Sequence, residues 1–175
     1  MLPHTPIRIA FFLFRPSQDI VLGLYYLSLE TPEFKGTPDK SEYDAQPGAL
    51  LRDGATAFGS INEVEYALSA GGLKLHDKIR ARFEHVAADG SRVFETTVTT
   101  PGRVLIAQIL PKHQAVPFSL INRQLTKKAV SDVIDTVYRH CGQKEAVIFC
   151  DRLMALGFRH AAKAGISFGK DDMII

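Results

Sequence analysis

An α+β fold is predicted for this chain: a small antiparallel hairpin or sheet packed with a C-terminal antiparallel helical hairpin and shorter helices. Three patterns carry the prediction. Ile79, Ala81 and Phe83 alternate with Lys78, Arg80, Arg82 and Glu84, the period of a half-buried strand; Asp89-Gly90 makes a turn, and the return strand carries Val93, Glu95 and the threonine-rich run to Thr100. Ala129, Val130, Val133, Ile134, Val137, Tyr138 and Cys141 recur at helical spacing, with Lys127, Lys128, Asp132, Asp135 and Arg139 on the other side. Gly142 stops that helix. Ala146, Phe149, Cys150, Leu153, Gly157, Ala161 and Ala164 then form the stripe of a second one, ended by Gly165, and the short connection makes the two antiparallel neighbours.

The other elements follow in chain order. Residues 1–15, with Pro3, Pro6, Phe11, Phe12 and Phe14, settle into neither a helical nor a strand period and read as an irregular lead-in. Ser17 caps a helix to about Leu29 that presents Ile20, Val21, Leu24, Tyr25 and Leu27. Residues 31–60, rich in Pro, Gly, Asp and Thr, read as a long surface loop. Asn62 caps a short helix carrying Val64, Ala67 and Leu68, ended by Gly71-Gly72. Beyond Pro101-Gly102, Arg103 to Leu110 reads as a short buried helix, and Pro111 and Pro117 bound the loop before Thr126, the cap of the first long helix.

Composition narrows the function. A chain of 175 residues, 46% hydrophobic and 23% charged, can bury a core as one domain and lies far from the signature of disorder. A net charge of +2 is too small to imply nucleic-acid binding by itself. Two cysteines make no disulfide framework, which favours a reducing cytoplasm. The apolar stretch from Ile9 to Phe14 is too short for a membrane span and precedes no cleavage site, so no membrane association is expected.

Sites of chemistry are sparse. Cys141 and Cys150, with His140 and His160 nearby in sequence, lack the close pairing of zinc ligands and fall on apolar stripes, where a buried thiol is ordinary. No nucleophile elbow and no phosphate-cradling glycine loop occurs. His76 and His85 read as surface groups of the hairpin, and Asp171-Asp172 as a solvated turn. Arg123, Lys127, Lys128 and Arg139, with Arg80 and Arg82, form either a solvated face interleaved with Asp132 and Asp135 or the phosphate-contacting surface of a stand-alone RNA or single-stranded DNA binding module.

Four stretches carry a resemblance: Pro16 to Leu27, Thr99 to Arg103, Val116 to Arg123, and Thr126 to Met173. In that order they resemble the β′ subunit, the largest catalytic subunit of bacterial DNA-directed RNA polymerase. The resemblance implies an internal fragment: residues 16–165 as the pore domain, residues 166–175 as the start of the funnel, and residues 1–15 as a segment unlike the family. It implies a role in shaping the secondary channel through which nucleoside triphosphates reach the active centre. Gln18 and Asp19, in Pro-Ser-Gln-Asp, would lie close to that centre, and Arg103, in Thr-Thr-x-Gly-Arg, on the same inner side.

The implied partners are the polymerase β, α and ω subunits, the rest of β′, DNA template, nascent RNA and nucleoside triphosphates, with secondary-channel factors also possible. The aspartate-rich motif that holds catalytic Mg2+ in the family does not occur in these residues, and neither do the bridge helix and trigger loop. The fragment is thus expected to bind no cofactor of its own and to be inactive in isolation. Because the lead-in does not resemble the family, a chain starting at Pro16 is expected to melt within a few degrees of the full one, a loss under about 1 kcal/mol.

Overall fold

The structure is a computed structural model that describes residues 18–30 and 56–171. Ser17 as a cap, the lead-in with its three phenylalanines, most of the expected 31–60 loop and Asp172 lie outside the described residues, as do the side chains of Gln18, Asp19 and residues 163–171.

The helical pattern after Pro16 folds as α1, Gln18–Leu27. Ile20, Leu24 and Leu27 are buried, a spacing that stacks them on one face. Part of the expected loop is a strand: β1, Thr56–Phe58, pairs in parallel with β2, Ile79–Val86, with Ala57 opposite Arg80. Three residues are too few for a period to show. The cap of α2, Ile61–Ser69, also differs from expectation. Ser60 Oγ, and not Asn62, accepts from the Glu63 N–H at 3.3 Å, while Glu63 reaches back to the Gly59 N–H at 2.8 Å. The Ser-x-x-Glu spacing satisfies an amide of the first turn and the Gly59 amide just before it together, which Asn62 alone cannot do. Gly71-Gly72 end the helix as expected, donating to Leu68 and Ala67 carbonyls.

The hairpin forms where it is expected. β2 pairs antiparallel with β3, Arg92–Thr99, from Ile79 opposite Thr99 to Val86 opposite Arg92, and Asp89 closes the turn by accepting from both the N–H and the hydroxyl of Ser91. Those two bonds hold the Asp89 carboxyl below its usual range. Arg80 corrects the expected polar face, because it is fully buried. Burial runs unbroken through Ile79, Arg80 and Ala81, so both faces of β2 are covered at its start; alternation emerges only from Arg82, which is exposed.

Next comes α3, Pro101–Ile109, starting two residues earlier than expected. Val104 packs into a core with Val64, Ile79, Ala81 and Phe83, while Ile106 joins the larger core of α1 and the C-terminal helix. α3 therefore lies between sheet and helices. A 3₁₀ helix, Phe118–Leu120, stacks Phe118 on Phe83 with ring centroids 3.9 Å apart.

The last element, α4, spans Lys127–Asp171 in two limbs divided at Gly142. Thr126 caps it, its hydroxyl accepting from the Ala129 N–H at 3.2 Å. Gly142 has φ +87° and ψ 172°, a conformation that breaks the helix and that a side chain would strain. The limbs fold back on each other: Val130 and Ile134 share an apolar crevice with Cys150, Leu153 and Met154, beside Ile20 and Leu24 of α1. In an unbroken helix Val130 and Leu153 would stand about 34 Å apart. Gly165, expected to end the second limb, lies inside it; one glycine costs a helix only about 1 kcal/mol against alanine. No helix among the described residues is long and apolar enough to cross a membrane.

α1 sits on the second limb at backbone contact. A Cβ on Gly23 would fall 1.9 Å from the Gly157 carbonyl oxygen, so only glycine permits this crossing.

Candidate functional site

The run Thr99 to Arg103 shows what its sequence is for. Thr99 ends β3, and Thr100 caps α3, its hydroxyl accepting from the Arg103 N–H at 3.4 Å. Pro101 sits in the first turn, where its missing N–H costs nothing. Gly102 passes so close to α1 that a Cβ there would lie 1.9 Å from the Leu27 carbonyl oxygen, and its own N–H donates to the Leu75 carbonyl at 3.0 Å.

Arg103 then points into the chain and is only 6% exposed. Its Nε donates to the Ser28 carbonyl at 3.1 Å and Nη1 to Asn122 Oδ1 at 3.4 Å, while Nη2 lies 3.4 Å from Glu30 Oε2. Burial pulls the guanidinium below its usual value and the Glu30 carboxylate pushes the other way; an arginine stays charged throughout.

Each partner is itself fixed. Glu30 also pairs with Lys78 at the start of the hairpin. Asn122 donates through Nδ2 to the Val98 carbonyl at 2.9 Å. Ser28, fully buried, accepts at Oγ from the Leu125 N–H at 2.8 Å and donates to the Tyr25 carbonyl at 3.0 Å. Charge-assisted bonds of this kind stabilise by about 1.5–3 kcal/mol each, and losing one partner strands the others out of water. One node thus ties the end of α1, the start of α3, the hairpin and the approach to α4.

Gln18 and Asp19 do not share this node. They form the first turn of α1, whose ten residues span about 15 Å, and Ser28 follows its last turn. The structure therefore puts two of the expected site residues at one end of a helix and the third at the other.

The remaining candidates resolve singly. Cys150 is buried in the helical core, where burial first and Asp151 second push its thiol up to about 11; Cys141 is half-buried and shifted up by burial and Glu145. Both pack as core residues. His76 is not the surface group expected: it is half-buried, with Nε2 2.7 Å from the Tyr26 carbonyl and its ring edge-on to Tyr26. The reason is position, since the turn that carries it lies under the C-terminal end of α1. His85 is half-buried, 3.9 Å from Glu95. Among the basic groups, Arg139 pairs with Asp135 at 3.0 Å, Arg82 lies over the Phe94 ring at 4.4 Å, and Arg123 donates to the Leu120 carbonyl at 3.2 Å. Lys127 and Lys128 are exposed.

Ser28, Glu30, Lys78 and Asn122 were not visible as site residues, because their partners are remote in sequence. Thr100-Pro101 did carry a signal, a capping residue followed by proline at the first helical position.

The four stretches that the sequence singled out converge here: Ser28 follows the first, Arg103 ends the second, Asn122 lies in the third and Leu125 leads into the fourth. A family model, that of RNA polymerase Rpb1, domain 3, matches residues 12–173. The match takes in all four stretches and the node that joins them, and the chain belongs to this family of RNA polymerase largest subunits.

Proposed function

We propose that the chain acts as the pore segment of a bacterial β′ subunit, shaping the secondary channel that admits nucleoside triphosphates to the active centre. The observation that carries this reading is the inward convergence of the four family-like stretches on Arg103 and Ser28, which favours a scaffold over a catalytic cleft. In this reading Gln18 and Asp19 approach the active centre and Arg103 fixes the scaffold behind them. Residues 16–165 form the pore domain and residues 166–175 lead into the funnel. The working partners are the β, α and ω subunits with template, transcript and nucleoside triphosphates, in the cytoplasm.

Among the described residues no three His, Cys, Asp or Glu side chains cluster to hold a metal ion. The magnesium ions of nucleotide addition, which neutralise and align the reacting oxygens, belong in this reading to other parts of the subunit. The isolated chain is then inactive. The test is a polymerase whose largest subunit carries this sequence as its domain 3: it should elongate RNA, and Gln18→Ala should raise the KM for nucleoside triphosphate. An active hybrid indifferent to Gln18→Ala and Asp19→Ala would refute the placement, and nucleotide incorporation by the isolated chain would refute the scaffold role.

A free nucleic-acid binding module is the second reading, favoured by exposed Lys127 and Lys128 beside Arg123. Arg80 is buried and Arg139 is paired, which leaves few cations for phosphate. With three phosphate contacts to a single strand the logarithmic salt slope stays at about 2 in magnitude, and a much steeper slope for the isolated chain would favour this module.

A further inference from the structure

We propose that Arg103 is a positioning residue for the Gln18–Asp19 turn, acting through α1 as a beam balanced on the Gly23–Gly157 contact. This inference rests on the pore reading above. Three observations carry it. First, α1 meets the second limb of α4 backbone to backbone at Gly23, where not even a Cβ fits between the two helices. Second, Gly23 is the midpoint: Gln18 lies five residues before it and Ser28 five residues after, about 7.5 Å of helix to each side. Third, the far end is gripped on several sides, by Arg103 Nε on the Ser28 carbonyl, by the Leu125 N–H on Ser28 Oγ, and by Gly102 against the Leu27 carbonyl.

A helix held at its centre transmits displacement. If the Ser28 end moves by 1 Å about the Gly23 contact, the Gln18 end moves by a similar distance in the opposite sense. A 1 Å misplacement of a substrate-positioning group costs up to roughly a hundredfold in rate, so a bond made far from Gln18 can govern what happens there. The three-way grip of the guanidinium makes this sensitive to geometry and not only to charge: lysine keeps the charge but cannot hold Ser28, Asn122 and Glu30 at once.

The test uses the hybrid polymerase described above, with Arg103→Lys, Ser28→Ala as a milder change at the same end of the beam, Gln18→Ala, and the two double variants that join each to Gln18→Ala. Arg103→Lys is expected to raise the KM for nucleoside triphosphate about tenfold with kcat changed less than twofold, and Ser28→Ala to do the same more weakly. In the Gln18→Ala background both changes should add little, because the group they position is already gone. Equal effects in both backgrounds, or a fall in kcat alone, would reduce Arg103 to a structural residue and overturn the inference while the pore reading stands. If Gln18→Ala and Asp19→Ala are themselves silent, the pore placement fails first, and the beam fails with it.

Discussion

The α1–α4 layer and the β2–β3 hairpin bury apolar surface under opposite constraints. In the helical layer backbone meets backbone, with Gly23 against Gly157, and Leu24, Val130, Val133 and Phe149 leave almost no exposed surface. In the hairpin only one face is covered along most of its length, and the outer part of β3 leaves Val93 and Phe94 exposed. Both regions are rich in apolar residues. What separates them is how closely the backbones approach, so the cost of a substitution should follow that distance more than hydrophobicity.

The comparison breaks most readily at Phe149 and Gly23. Phe149→Ala should cost about 3–5 kcal/mol in chemical denaturation, the usual penalty for emptying a packed aromatic site. Gly23→Ala should cost about 3 kcal/mol, because the added carbon meets a carbonyl that cannot move aside as a side-chain tip can. A Gly23→Ala chain as stable as the parent would mean that the helices are free to part. Asn122→Ala, at the junction of the two regions, should cost about 1–3 kcal/mol by stranding the Val98 carbonyl and one arm of Arg103, with the same measurement deciding.

A pH series sharpens the contrast from the helical side. The Cys150 thiol is raised from 9.0 to about 11 in the fold. Below pH 9 the proton is on in both states and no stability is lost; between 9 and about 11 the unfolded thiol ionises and the folded one does not, so stability falls as pH rises. The unfolding midpoint should therefore drop more steeply across that window than in Cys150→Ala, and parallel curves would contradict a buried thiol. The smallest effect belongs to the hairpin: Phe94→Ala should cost under about 1 kcal/mol, the value of an exposed ring under an arginine. A larger loss would mean that the outer face of β3 is less open than it looks.

Local punctuation made the hairpin and the limbs of α4 readable in sequence. Asp89-Gly90 and Gly142 each act on their immediate neighbours, and the periods on both sides are long enough to register. β1 carries no period in its three residues, and the Ser60 cap is legible only together with the reach of Glu63 back to Gly59. Arg80 was misread because alternation reports a residue's face and not what covers that face. Of the site, Gln18, Asp19 and Arg103 were named from resemblance, and only the structure sets Arg103 at the opposite end of α1 from the other two. Ser28 and Asn122 had no signal at all, since the groups they bind lie 97 and 24 residues away.

Those separations bear on the order in which the chain can fold. The hairpin and the fold-back at Gly142 close short loops, whereas docking α1 needs contacts spanning 75 and 97 residues, whose closure entropy is larger. α1 should therefore dock last in refolding, after the sheet and both limbs have formed. During synthesis the delay is longer, because Gly157 is made well over a hundred residues after Gln18, on the order of ten seconds at ribosomal speed. Throughout that wait Ile20, Leu24 and Leu27 have no core to enter, so α1 is a natural client for a chaperone until the second limb of α4 arrives to cover it.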